Sequence, residues 1–347
     1  MPNRLCTIEL TTLQLAIKKQ LHIFKMVSYK KIYFRADASA QIGYGHFIRT
    51  LAIADMLKSE FDCTFFTVSP TEYQVGEMTK VCNYAALNTD TALSEFLDLL
   101  KGDEIVVLDN YFYTDDYFRS ILQKGCKLVI VGPMSNRHYD VDMLVYGIPQ
   151  DDIKFTKAER TKLYYGFDYA FIRREFFKCE NHKTRNNGIV VCLGGADPLR
   201  LTNKILQRLV NIEYPETINV IAGDKVFIDE SLNPFIRQYK NLAASQIVEL
   251  FDAYRLAILS ASTITTEALS RGIPVIAGYY ADNQVDFYNT LVDHDYICGL
   301  DDIRKNNLDE LTTELLDTIS RKETYKFDVT SIQQRYIDAF KSLANEF

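Results

Sequence analysis

Cysteine pairs at metal-binding spacing are absent from this sequence. None of the seven cysteines forms a Cys-x-x-Cys pair, and they are scattered along the chain as Cys6, Cys63, Cys82, Cys126, Cys179, Cys192 and Cys298. Several lie within apolar runs, as isolated thiols of a protein core do. This pattern disfavours the zinc-binding and disulfide-rich classes. We therefore expect reduced cysteines and a cytoplasmic protein.

Long apolar runs and an excess of basic residues are absent as well. No segment approaches the roughly 18 consecutive apolar residues that a membrane-spanning helix needs, and residues 1–25 lack the apolar core and cleavage site of a signal peptide. The net charge is −7, whereas proteins that bind nucleic-acid backbones carry basic surfaces. We expect no stable membrane insertion and no nucleic-acid partner.

Apolar, β-branched runs alternate with segments of helical periodicity along most of the chain. The runs lie at 31–34, 63–68, 105–108 and 127–131, and again at 189–193, 218–222, 256–259 and 274–277. This alternation is typical of βαβ units with a parallel sheet. A polar stretch, residues 178–188, separates the two series and has the composition of a linker.

The sequence therefore predicts an α/β fold of two Rossmann-like domains with a cleft between them. The N-terminal domain is expected at 26–177 and the C-terminal domain at 189–347, joined by the linker at 178–188, while 1–25 form an extension to which no role is assigned. Ligands of open parallel sheets bind beyond the carboxyl ends of the strands. The loops at those ends therefore hold the candidate site residues.

The first candidate loop, residues 35–49, leads from a strand into a helix predicted to begin near His46. Gly43 and Gly45 let backbone N–H groups approach a ligand, and a helix start favours a phosphate or a developing anion. The same partial positive charge disfavours an imidazolium, so a histidine there is expected to accept a proton. A tight turn capped by the histidine would have the same sequence, and both interpretations stay open.

Two further loops carry groups suited to a phosphate and a sugar. Gly194 and Gly195 precede Asp197, a natural N-cap that is followed by a proline suited to the first helical position. In the second loop, hydroxyl groups precede Glu267, whose carboxylate could accept from two hydroxyls of a ribose. These hydroxyls belong to Ser262 and Thr263. Plain helix capping would explain both loops equally well.

A fourth loop, residues 279–284, carries amides that could hold sugar hydroxyls or acetamido groups, although a bare polar turn would look the same. Two Asp-x-Asp triplets, 140–142 and 293–295, have the spacing that a metal-dependent transferase could use. Each stands just before an apolar stretch and not after a strand end. They are therefore interpreted as surface turns.

Six segments together resemble the hydrolases of the pseudaminic acid pathway, which remove UDP from UDP-2,4-diacetamido-2,4,6-trideoxy-β-L-altropyranose. They are RADASAQIGYGHFIR (35–49), LDNYF (108–112), YGFDYAFIRREF (165–176), VCLGGADPLRLT (191–202), SASTITTEAL (260–269) and ADNQ (281–284). Several segments in order are far more specific than any single one. These hydrolases look like metal-independent relatives of the two-domain GT-B glycosyltransferases, especially the one that adds GlcNAc in peptidoglycan lipid synthesis.

The resemblance implies that His46 activates water and that Tyr111 and Asn283 act on the sugar side. It implies that UDP lies on the loops 194–197 and 262–267. The further substrate-binding residues expected are Gly43, Gly45, Arg49 and Gln284. Attack from the face opposite UDP would invert the anomeric carbon, with helix ends stabilising the diphosphate in place of a metal. We expect a monomer that binds a UDP-amino-sugar and needs no cofactor.

Two positions depart from the hydrolase pattern. Asn110 stands where the family usually has the histidine of an Asp-His-Tyr triplet, and Gly132-Pro133-Met134 stands where an acidic pair usually ends the next strand. These changes are compatible with a different amino sugar or with an acceptor other than water. A GT-B glycosyltransferase in which His46 deprotonates an acceptor, and a non-catalytic nucleotide-sugar-binding module, therefore stay as alternatives.

Overall fold

The computed structural model describes most of the chain beyond its first 29 residues. The described residues are 30–38, 43–148, 154–177, 184–195, 197, 199–223, 226–305, 308–322 and 325–347. The predicted extension at 1–25 and residues 178–183 of the predicted linker lie outside these ranges.

A seven-stranded parallel sheet lies in the first half of the chain. The strands of this half are β1 (Lys31–Ala36), β2 (Asp62–Val68), β3 (Asn83–Leu87), β4 (Ile105–Asp109), β5 (Lys127–Val131), β6 (His138–Tyr139), β7 (Met143–Tyr146), β8 (Thr156–Lys157) and β9 (Lys162–Tyr165). The sheet order is β3-β2-β1-β4-β5-β7-β9, and β6 pairs with β8 separately. All of β4 is buried, as expected for a central strand covered on both faces.

The α-helices described in this half connect these strands. They are α1 (Gly45–Leu57), α2 (Glu72–Val81), α3 (Ala92–Leu99) and α4 (Asp115–Gln123). Helix α1 buries Phe47 against Phe65 of β2, with ring centroids 5.5 Å apart. This packing holds the first turn of α1, and with it His46, at the carboxyl ends of β1 and β4.

A second parallel sheet of six strands lies in the second half of the chain. Its strands are β10 (Asn186–Cys192), β11 (Ile218–Ala222), β12 (Ile236–Lys240), β13 (Tyr254–Ser260), β14 (Val275–Tyr279) and β15 (Cys298–Asp302), in the order β12-β11-β10-β13-β14-β15. The helices of this half are α5 (Leu201–Asn211), α6 (Ala244–Ala253), α7 (Thr263–Ser270), α8 (Val285–Asp293), α9 (Thr313–Ser320) and α10 (Ile332–Ala344). Buried Leu, Ile and Val side chains form its core.

The last helix, α10, packs against the first half of the chain. Its Phe340 ring packs on Phe61, with centroids 6.3 Å apart. The Tyr336 hydroxyl donates to the Tyr169 carbonyl at 2.9 Å, and Gln333 donates to the Met56 carbonyl at 3.2 Å. The predicted range of the C-terminal domain therefore includes a helix that packs on the N-terminal sheet layer.

The apolar runs locate the central strands well and the edge strands poorly. The runs at 127–131 and 218–222 coincide with β5 and β11. The edge strands β3, β9, β12 and β15 have no counterpart among the predicted runs, because edge strands are partly exposed and carry mixed side chains. The buried strand β7, which lies next to the edge strand β9, was missed as well. Strand β10 begins at Asn186, inside the predicted linker.

Candidate active site between the two sheets

A cleft of about 1110 Å³ lies between the carboxyl ends of the two sheets. The loops after β1, β2 and β4 form one wall, and the loops after β10, β11, β13 and β14 form the other. All the predicted site residues except Asp197 line it: Gly43, Gly45, His46, Arg49, Tyr111, Gly194, Gly195, Ser262, Thr263, Glu267, Asn283 and Gln284. Loops distant in sequence thus meet at one surface.

Asp197 faces the helix that follows it and not the cleft. Its carboxylate accepts from the backbone N–H groups of Leu201 at 2.9 Å and Thr202 at 2.6 Å. The N-cap position itself falls on Arg200, so the predicted helix start at residue 198 is wrong. The aspartate still satisfies two amides of the first turn of α5, because its side chain reaches them from the preceding loop.

The His46 ring is held by Asp109, the last residue of β4. His46 Nδ1 lies 2.7 Å from Asp109 Oδ1. A carboxylate only accepts, so this hydrogen bond places the proton of a neutral imidazole on Nδ1. Arg49 Nη2 also lies 3.1 Å from Nδ1, but it donates to the same carboxylate at 2.5 Å. Nε2 is then left unprotonated and able to accept a proton in the cleft.

Asp109 is a buried carboxylate with three donors besides the histidine. Arg49 Nε and Nη2 donate to its two oxygens, and the Thr50 hydroxyl donates to Oδ2 at 2.7 Å. Burial acts to raise the pKa of Asp109, but the Arg49 guanidinium and His46 outweigh it and lower that pKa to about 2. The carboxylate is therefore ionised at neutral pH and can stabilise a positive charge on His46.

The two departures from the hydrolase pattern have local structural reasons. At Gly132, where φ is +63°, a Cβ atom would lie 2.6 Å from Arg49 Nη2, so the glycine makes room for the guanidinium. Asn110 accepts from the Asp37 backbone N–H at 2.7 Å and donates to the Asp37 carbonyl at 3.3 Å. The asparagine thereby joins the end of β4 to the loop that leads to His46.

The two halves of the chain touch at the end of the cleft that His46 lines. The Tyr111 ring meets the His46 ring edge to face, with centroids 4.7 Å apart. Asn283 Nδ2 donates to the Tyr111 hydroxyl at 3.4 Å. Nearby, Asp286 at the start of α8 accepts from Ser135 and Lys154 of the first half. The structure thus brings the three residues predicted to be catalytic together at one end of the cleft.

The opposite wall presents main-chain groups at Gly194, Gly195 and the start of α7. A Cβ atom on Gly195 would come within 3.2 Å of the Tyr44 ring of the other wall. Ser262 stands at the N-cap of α7 without a capping hydrogen bond from its side chain. Unpaired amides at a helix start attract anions. This wall is therefore suited to phosphate.

Glu267 of α7 forms an ion pair with Arg173 of the first half of the chain. Arg173 Nε and Nη2 donate to the two carboxylate oxygens, each at 2.7 Å. The Glu267 side chain is 1% exposed and that of Arg173 is 14% exposed. The carboxylate predicted to bind ribose is thus held in a bidentate pair in this structure.

The described ranges contain neither a cluster of metal ligands nor a membrane-spanning helix. No group of three His, Cys, Asp or Glu side chains there is close enough to hold a metal ion. No helix among these residues is long and apolar enough to cross a membrane. The five described cysteines are free thiols. The two Asp-x-Asp triplets do not line the cleft.

Two relatives align with most of the chain. An uncharacterized protein of Methanocaldococcus jannaschii is 28% identical over 311 residues, which cover 81% of this chain and 61% of that protein. The chain thus spans about three fifths of the length of that relative. The UDP-2,4-diacetamido-2,4,6-trideoxy-beta-L-altropyranose hydrolase of Campylobacter jejuni is 24% identical over 265 residues, covering 73% of this chain and 93% of the hydrolase. No family model matches the sequence.

Solved structures of two-domain glycosyltransferases superpose on the chain. MurG of Acinetobacter baumannii matches 92% of this chain and 100% of its own, with a TM-score of 0.57 at 10% identity. The fold is GT-B. Arabidopsis thaliana UGT89C1, complexed with UDP-L-rhamnose, matches 92% of this chain and 95% of its own, with a TM-score of 0.60 at 9% identity. The predicted α/β fold of two Rossmann-like domains is thereby confirmed.

Three residues of the candidate site were missed by sequence reasoning. Asp109 directly follows the apolar run at 105–108, and this place at the carboxyl end of a strand is the signal that could have identified it. Asn110 was noted only as a departure from the family pattern. Arg173 lies within the YGFDYAFIRREF segment, but no local pattern indicates that it meets Glu267, which is 94 residues away.

Proposed function

We propose that the protein hydrolyses a UDP-linked diacetamido-trideoxy hexose to the free sugar and UDP, in the biosynthesis of a nonulosonic acid such as pseudaminic acid. The substrate is UDP-2,4-diacetamido-2,4,6-trideoxy-β-L-altropyranose or a close relative. The observation that carries the proposal is the His46–Asp109 pair, which lies at the wall of a GT-B cleft opposite the start of α7, where Ser262 makes no side-chain cap. The name of the Campylobacter relative supports this substrate class.

His46 is the proposed general base. As the water oxygen bonds to the anomeric carbon, His46 Nε2 takes a proton from that water, and the bond between this carbon and the diphosphate oxygen breaks with its electron pair leaving on UDP. Attack from the face opposite UDP inverts the configuration. Asp109, 2.7 Å from Nδ1, stabilises the imidazolium that forms.

The leaving diphosphate is proposed to lie against Gly194, Gly195 and the start of α7. Backbone N–H groups and the helix dipole stabilise the negative charge that develops there. Arg49 and Arg173, the two arginines among the described lining residues, are both paired with carboxylates. Glu267 is proposed to bind the ribose, because one carboxylate accepts from two vicinal hydroxyls.

A glycosyltransferase on the same fold is the second candidate. The observation that favours it is Phe112, which lines the cleft beside Tyr111 and is 49% exposed. An exposed aromatic ring in a binding cleft suits an apolar ligand surface. A lipid-linked acceptor provides such a surface.

The two candidates differ in what accepts the sugar. The protein would be incubated with the UDP-2,4-diacetamido sugar in water labelled with oxygen-18, with and without lipid-linked acceptors, while UDP release is followed. Release without acceptor, with the label in the sugar and not in UDP, supports hydrolysis at the anomeric carbon. Release only with acceptor supports the transferase, and binding without release supports a non-catalytic module. His46→Ala is the control for contaminating hydrolases.

A further inference from the structure

The Arg173–Glu267 pair is placed where the nucleotide is proposed to bind. Glu267 lies one turn into α7, and both residues line the cleft. Arg173 donates through Nε and Nη2, each at 2.7 Å, and its backbone N–H lies 3.5 Å from Oε1. Each carboxylate oxygen therefore already has a charged donor.

This arrangement conflicts with ribose binding unless one partner moves. The Glu267 side chain is 1% exposed, so hydroxyl groups cannot reach its oxygens while the guanidinium covers them. Glu267 is anchored in a buried helix, whereas Arg173 lies between two short helical turns at the cleft wall. The arginine side chain is the longer and more exposed of the two. Arg173 is therefore the partner that can move.

We propose that Arg173 is a specificity-determining residue that competes with the nucleotide for Glu267. In the free protein the guanidinium occupies both carboxylate oxygens, and a ribonucleotide displaces it with its 2′- and 3′-hydroxyls. A buried carboxylate oxygen that loses its donor without replacement is costly, so a sugar with no vicinal hydroxyls leaves the pair in place. This inference rests on the proposed role of Glu267.

Substituting a residue that binds the nucleotide would lower nucleotide affinity, whereas substituting Arg173 should raise it. Weakening the guanidinium interaction removes the competitor, so a ribonucleoside gains affinity. A 2′,3′-dideoxynucleoside makes no use of Glu267, so its affinity stays the same. Uridine is the informative probe, because it lacks phosphates with which the released arginine could interact.

The experiment is calorimetric titration of uridine, 2′,3′-dideoxyuridine and UDP into wild type, Arg173→Gln and Arg173→Lys. Arg271→Gln is the matched control, because Arg271 forms a similar bidentate pair with Asp252, at 2.9 and 2.6 Å, away from the cleft. We expect Arg173→Gln to bind uridine about tenfold more tightly, or about 1.4 kcal/mol. Dideoxyuridine affinity should change less than twofold in every variant, and Arg271→Gln should match wild type throughout.

Arg173→Lys keeps the charge but cannot form the bidentate pair, so its gain in uridine affinity should be smaller. It replaces Arg173→Gln in the experiment if that variant does not fold. Uridine affinity that is unchanged or lower in both folded variants overturns the competition. If uridine affinity does not rise but wild type binds UDP, the proposed nucleotide site is retained and only the competition by Arg173 is rejected. If neither wild type nor the variants bind UDP or uridine, both the competition and the proposed function fail.

Discussion

Replacing Asp109 by asparagine removes one charge from the proposed catalytic pair with little change of shape. The amide can turn its NH2 group toward His46 Nδ1, which favours the tautomer with the proton on Nε2 and leaves no base facing the cleft. The substitution thereby abolishes a hydrogen bond of 2.7 Å between His46 and a carboxylate. Such a bond contributes about 1.5–3 kcal/mol. At 1.36 kcal/mol for each tenfold change in rate, kcat should fall by about 10- to 150-fold.

The assay is UDP release under saturating substrate, with UDP affinity measured separately by calorimetry. Asp109→Asn should retain UDP affinity, because Asp109 is proposed not to touch the nucleotide. Asp142→Asn is the matched control, since Asp142 is also a buried carboxylate of the first half, accepts from Leu128 N at 2.8 Å and lies outside the cleft. We expect its kcat to match that of wild type.

The substitution also leaves the Arg49 guanidinium without its carboxylate, and breaking a buried pair of this kind costs about 3–5 kcal/mol of stability. Rates are therefore to be compared only at temperatures where circular dichroism shows both proteins folded. A folded Asp109→Asn protein with wild-type kcat would refute the role of Asp109 in orienting His46. A loss confined to UDP affinity would place Asp109 on the nucleotide side instead.

Three other perturbations test the proposed general base, the proposed nucleotide site and the independence of the reaction from metal ions. His46→Ala should lower kcat at least about a hundredfold with UDP affinity nearly unchanged, as for loss of a general base; an unchanged rate rules out this assignment. Glu267→Ala should weaken UDP binding by about 1 kcal/mol, or about fivefold, because the Arg173 pairing offsets part of the gain from the ribose. If Glu267→Ala binds UDP as tightly as wild type does in titration, the nucleotide does not bind at Glu267. Activity should survive excess EDTA, since helix termini are proposed to hold the diphosphate; loss of activity that Mg²⁺ or Mn²⁺ restores would contradict this.

Local patterns were sufficient to predict the fold and much of the cleft lining. Apolar runs mark the buried central strands, and the glycine and polar clusters that follow them mark the carboxyl ends. His46 and Asn283 lie in loops that follow such runs, whereas Tyr111 was predicted from the resemblance to the hydrolases. The structure brings the three together. Asp197 was predicted to be the N-cap, but the N-cap is Arg200, and the Asp197 carboxylate accepts from the first turn of α5 and does not line the cleft.

What the sequence by itself determined is the alternation of strands and helices, and the chemical groups carried by the loops between them. Both follow from short-range periodicity and from the conformational preferences of glycine and polar residues. Only the tertiary structure decided which of these groups meet. Asp109 orients His46 across 63 residues and Arg173 covers Glu267 across 94 residues. Such pairs depend on strand order and on how the two halves of the chain meet at the cleft, which no local pattern of side chains encodes.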